Sequence, residues 1–98
     1  MPSIALVDDE QSILTSVALS LESEGYKVDT FINGVEALEA LESKSYDLGL
    51  FDIKMPKMDG NELLTKVRSS KIEKLKELPI IFLTSKDQEQ DEIIGLRM

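Results

Sequence analysis

The sequence predicts an α/β fold, a doubly wound parallel sheet with helices on both faces. Three observations carry that prediction. Apolar runs of strand length alternate four times with stretches whose apolar residues recur at helical spacing. Two of those runs, Leu48 to Phe51 and Ile80 to Leu83, contain no polar residue, as strands covered on both faces require. Polar residues then stop the runs at the same end, at Asp8, Asp52 and Thr84. The chain has 98 residues, enough for one domain spanning 1–98, and shows no repeat, low-complexity tract or linker.

Taken in order, "SIALV" (Ser3 to Val7) is the first strand, halted by Asp8 and Asp9. Ile13, Leu14, Val17, Ala18 and Leu21 then share one helical face, and Gly25 stops that helix. "YKVDTF" is a strand of mixed character, suited to a sheet edge. Asn33-Gly34 reads as a turn, after which Val35, Leu38 and Leu41 form the face of a second helix. "YDLGLFD" is the central strand, followed by a loop to Asp59 and a third helix carrying Leu63, Leu64 and Val67. "KIEKLKEL" is a charged, helix-prone connection ended by Pro79, which opens the fourth strand at a position that needs no ladder N–H. The final "KDQEQDEIIGLRM" is expected to begin a helix whose apolar face includes Ile93, Ile94 and Leu96. The order is thus β-α-β-α-β-α-β-α.

Composition removes several functions. A net charge of −8 argues against direct nucleic-acid binding, which needs a basic face for phosphate. No apolar run approaches the roughly 20 residues of a membrane span, and "MPSIALVDDE" lacks the basic start of a secretory signal. The expectation is a cytoplasmic protein without a membrane partner. There is no cysteine and no histidine, so thiol chemistry is absent and any metal must be held by oxygen. Oxygen-only donors favour magnesium, calcium or manganese over zinc.

In parallel sheets of this class the functional crevice lies beyond the carboxyl ends of the strands. Asp8 and Asp9, Asp52, and Thr84-Ser85 all sit on that rim. If the first and third strands are neighbours, three carboxylates converge, and such a cluster must take up protons or bind a cation. Magnesium would recruit a phosphoryl group, and an adjacent aspartate could attack it. Asp52 is the candidate nucleophile because it ends the most buried strand. Each residue has a plainer reading as well: Asp8 or Asp9 could cap the first helix, Asp59 suits a helix cap or turn, and Thr84 could merely end its strand. The conjunction of three strand ends favours function.

"ALVDDE", "LGLFDIKMPKMDG" and "IIFLTS" together resemble the receiver domains of two-component response regulators, in order and spacing and over the whole chain. "DIKMP" with "FLTSKDQEQDEIIGLRM" is further similar to ChvI-type regulators of the winged-helix OmpR/PhoB subfamily. The resemblance implies a flavodoxin-like, CheY-like sheet with strand order 2-1-3-4. It implies that Asp52 accepts a phosphoryl group from a sensor histidine kinase. It also implies that Asp8, Asp9, Asp52 and the Lys54 backbone carbonyl hold Mg2+. Thr84 would be the switch hydroxyl acting on the segment after the fourth strand, Ser85 would leave the phosphoryl group room, and Lys54 and Lys86 would tune its lifetime. Pro56 and Gly60 would shape the loop. Such a protein is a phosphoacceptor that catalyses its own phosphotransfer and slow dephosphorylation, and in a full-length regulator it controls transcription.

The chain reaches Met98 before the fifth strand, its lysine and the fifth helix that the resemblance implies. The expectation is therefore a fragment or ordered part of a longer protein, with impaired phosphorylation or switching. Alternatively, a homodimer or swapped oligomer would cover the apolar edge of "IIFLT". Among rivals, a haloacid dehalogenase-type phosphatase would need a second aspartate where Lys54 stands. A calcium loop fails because Lys54 and Pro56 occupy ligand positions. The stronger alternative is a receiver-like module that binds a partner without being phosphorylated.

Overall fold

The computed structural model describes residues 1–83 and the backbone of Ile94–Gly95. Its elements are β1 (Ser3–Val7), α1 (Gln11–Ser23), β2 (Lys27–Phe31), α2 (Gly34–Ser43), β3 (Leu48–Asp52), α3 (Gly60–Arg68), α4 (Glu73–Lys76), β4 (Ile80–Leu83) and β5 (Ile94–Gly95). The sheet order is β2-β1-β3-β4-β5. The first four strands are parallel, in the expected 2-1-3-4 arrangement.

Alternation along β1 builds two cores from one strand. Ala5 and Val7, with Phe51 of β3, pack under Ala37 and Leu41 of α2, Leu63 and Val67 of α3, and Leu75 of α4. Ile4 and Leu6, with Leu50, pack under Leu14, Val17 and Leu21 of α1. Period-2 side-chain direction thus sends neighbouring residues of β1 to opposite helical layers. Each fully buried side chain, such as Leu6, Leu14 or Leu63, contributes about 1.5–3 kcal/mol by leaving water.

Helix ends follow local chemistry. α1 stops where Gly25 takes φ 99°, a left-handed conformation that a side chain would disfavour. The freed carbonyls of Leu21 and Glu22 then accept from Tyr26 N at 3.2 Å and Gly25 N at 3.0 Å. The Asn33 side chain caps α2, accepting from Glu36 N at 2.9 Å. Asn33-Gly34 is therefore a helix start, where the sequence suggests a turn; neither residue has positive φ. Asp59 caps α3 in the same way, accepting from Glu62 N at 2.9 Å.

β2 lies at the sheet edge and is half exposed, as its mixed pattern predicts. The segment leading from α2 to β3 is tied to it by Asp29, whose Oδ2 accepts from the Tyr46 hydroxyl at 2.6 Å and the Lys44 ammonium at 2.9 Å. These two donors hold the Asp29 carboxyl below its ordinary range, Tyr46 contributing most. Burial, reinforced by the bond to Asp29, pushes the Tyr46 hydroxyl up. Phe31 meets the Tyr46 ring edge-on, with centroids 6.5 Å apart.

One expectation is corrected at the other edge. Ile94 and Gly95, placed by the sequence in a helix, form a short strand antiparallel to β4, with Leu83 opposite Ile94 and Phe82 opposite Gly95. A β-branched residue followed by glycine is a poor helix segment, and the open β4 edge offers ladder partners instead. That pairing also takes up part of the edge expected to lie bare. The rest of the predicted helix lies outside the described residues. No helix among them is long and apolar enough to cross a membrane.

Candidate metal and phosphoacceptor site

Register makes the site. Val7 of β1 pairs with Phe51 of β3, so the next residues, Asp8 and Asp52, emerge side by side at the carboxyl end of the two central strands. Asp8 N continues the ladder by donating to Phe31 O at 3.1 Å. Asp8 and Asp52 are each only 3% exposed, whereas Asp9 is open to solvent. Carboxylate oxygens of Asp8, Asp9 and Asp52 lie within 4.8 Å of one another.

Three carboxylates this close repel, and two of them are buried where a charge must be balanced. The donor set is oxygen only, one member faces water, and the spacing suits a hard divalent cation that retains waters. The residues therefore fit a metal centre. Asp8 also serves its own turn, with Oδ1 accepting from Glu10 N at 3.0 Å. The α1 cap residue is Glu10, which makes no side-chain cap bond, so neither Asp8 nor Asp9 is the helix cap.

The loop after β3 is folded tightly onto the site. Gly60 N donates to Ile53 O at 2.9 Å, closing it, and Met58 N donates to Pro56 O at 2.7 Å across Lys57, which has φ 66°. A two-residue-span hydrogen bond around a positive φ is a strained turn. Met55 and Met58 point inward and are each 8% exposed, while Lys54, Pro56 and Lys57 face solvent. A Cβ built at Gly60 would overlap the Asp52 carbonyl oxygen and lie 3.0 Å from Ile53 Cα, so glycine is required there by close approach. Thr84, Ser85 and Lys86 lie outside the described residues.

Residues 4–98 match the response regulator receiver domain family. The chain belongs to that family. This receiver domain is 41% identical over 95 residues to the alkaline phosphatase synthesis transcriptional regulatory protein PhoP of Bacillus subtilis, covering 97% of this chain and 38% of that protein. It is 37% identical over 98 residues to the CpxR homolog of Haemophilus influenzae, covering 100% of this chain and 40% of the relative. The receiver thus spans about two fifths of the length of the curated relatives it matches.

Solved receivers superpose well on it. TrrA of Thermotoga maritima, in complex with Mg2+ and BeF, has a TM-score of 0.79 at 39% identity, covering 93% of this chain and 76% of that one. A complex of the histidine kinase ThkA with TrrA gives 0.79 at 38% identity, over 94% and 76% of the two chains. The chemotaxis protein CheY4 of Vibrio cholerae gives 0.80 at 34% identity, over 92% and 76%.

Two features of the site escape the motif reading of the receiver. Gly34 meets Met58 from the first turn of α2, and the Asp29–Tyr46–Lys44 group pins the connection after that helix to β2. The first has a sequence signal in "NGVE", where a cap residue precedes a glutamate by three. The second joins residues 17 apart with no local pattern.

Proposed function

We propose that this receiver is the phosphoryl-accepting switch of a two-component response regulator, with Asp52 as phosphoacceptor and a sensor histidine kinase as donor. The observation that carries the reading is the convergence of Asp8, Asp9 and Asp52 within 4.8 Å at the ends of β1 and β3. An Asp52 carboxylate oxygen attacks phosphorus in line, forming the acyl phosphate P–O bond as the phosphohistidine P–N bond breaks and the imidazole leaves. Asp8, Asp9, Asp52 and the Lys54 carbonyl would hold Mg2+, which when bound neutralises charge on the carboxylates and the transferring group.

The chain's own geometry does the rest. Gly60 and the closed loop fix the Asp52 backbone, so the nucleophile is presented without a search over conformations. Burial of Asp52 excludes bulk water from the product acyl phosphate, which favours a lifetime long enough to signal. Lys54 and Lys86 would tune that lifetime, Ser85 would admit the phosphoryl group, and Thr84 would hydrogen-bond it and bias the segment after β4. Support comes from the likeness to a receiver solved with Mg2+ and BeF and to one solved with a histidine kinase. Because the matched relatives are transcriptional regulators, control of transcription is the proposed output, with the winged-helix OmpR/PhoB subfamily and its ChvI type as the finer assignment.

Acetyl phosphate with Mg2+ tests the reading. Intact-mass spectrometry of the full-length regulator is expected to show one phosphoryl adduct on the wild type and none on Asp52→Asn. Absence of an adduct from wild type, with either acetyl phosphate or a phosphorylated kinase, would favour a receiver-like module that binds partners without phosphotransfer.

A further inference from the structure

We infer that Gly34, the first residue of α2, is a positioning residue for the phosphoacceptor loop and acts through Met58. The inference rests on the function proposed above. A Cβ built on Gly34 would lie 3.0 Å from each of three Met58 atoms, Cβ, Sδ and the backbone oxygen. The thioether could swing aside, but the carbonyl belongs to the loop backbone and Cβ is fixed by it, so both move only if the loop moves. Gly34 has no positive φ, so its lack of a side chain serves this contact and not a turn.

Both sides of the contact are held. Asn33 fixes where α2 begins through its bond to Glu36 N, and Ala37 and Leu41 anchor the helix in the same cluster that contains Met55 and Met58. On the loop side Met58 follows Lys57, the one non-glycine residue with positive φ among those described. A strained turn persists only when its surroundings over-determine it. Met58, seated against the bare backbone of Gly34, supplies that constraint. Two residues later Gly60 abuts the Asp52 carbonyl. The contact therefore runs from α2 through Met58 to the backbone of the phosphoacceptor, and the loop between them bears Lys54.

Gly34→Ala in the whole chain tests this with two readouts. Amide chemical shifts followed during a magnesium chloride titration give the Kd of the folded molecules, and hydrogen exchange at Gly60 N in metal-free protein reports loop closure. Mg2+ binding is expected to weaken roughly tenfold, as for other residues that orient metal ligands, and Gly60 exchange to accelerate. Adding Lys57→Gly, which removes the cost of the positive φ, is expected to restore part of the affinity. A purely structural role would lower the melting midpoint and leave the Kd unchanged, and Kd values within twofold of wild type overturn the inference. If Gly34→Ala does not fold, Met58→Ala decides: weaker Mg2+ binding supports the inference and unchanged binding overturns it. Wild-type protein that binds no Mg2+ overturns the proposed function itself and this inference with it.

Discussion

The Tyr46 hydroxyl, the Lys44 ammonium and the Asp29 carboxylate form a small charged group whose pH response can be worked out. Asp29 has a lowered folded pKa, so it stabilises the fold above its unfolded value, near 3.8, and that contribution disappears as pH falls through the folded value. Tyr46 has a raised pKa, so its contribution is complete below about 10 and disappears only as pH rises through the folded value. Asp29 and Lys44 are 32% and 56% exposed, and solvent screening keeps the ion pair itself weak. Tyr46→Phe is expected to cost about 1 kcal/mol at neutral pH in urea unfolding, with the difference from wild type shrinking below about pH 4. A loss that stays constant down to pH 3 would show that the Asp29 bond is not its source.

Among the elements, α3 shows how capping and site geometry share residues. Asp59 caps the helix, and the next residue, Gly60, touches Asp52. Asp59→Ala is expected to cost about 1 kcal/mol in chemical denaturation, the usual loss of a cap, while leaving the carboxylate of Asp52 in place. Wild-type stability for that variant would mean the bond to Glu62 N is replaced by water. The capping role of Asp59 was readable because an acid before a helix-period run has a local cause. Asn33-Gly34 was misread for the same reason in reverse: the pair is a common turn signal, and the partner that explains the glycine, Met58, lies 24 positions away in the sequence. The helix expected at Ile94 and Gly95 likewise gave way to strand pairing at the β4 edge, which only tertiary context supplies.

For the molecule as a whole, alternation of apolar runs with helical segments was enough to predict the class of sheet, because helices between successive strands lead to parallel pairing with both faces covered. Convergence of Asp8 and Asp52 was readable conditionally, since it depends on β1 and β3 being neighbours, a fact of topology that composition does not carry. The site also weighs on global stability. With a chain charge of −8 and three carboxylates at one rim, the metal-free fold bears self-repulsion. Asp9→Asn is expected to raise the metal-free melting midpoint by a few degrees and to diminish the further rise produced by added magnesium, because only binding to the folded state stabilises it. A lower metal-free midpoint in differential scanning calorimetry would mean Asp9 is held by favourable contacts that outweigh the repulsion.

β1 lies between two strands that both come later in the chain, and β3, which completes the carboxylate cluster, ends at Asp52. Asp8, Asp9 and Asp52 thus all lie within residues 1–52, while β4, whose pairing extends the sheet beyond β3, comes only at Ile80. The charge of the cluster and the completion of the sheet are therefore set by different stretches of the chain.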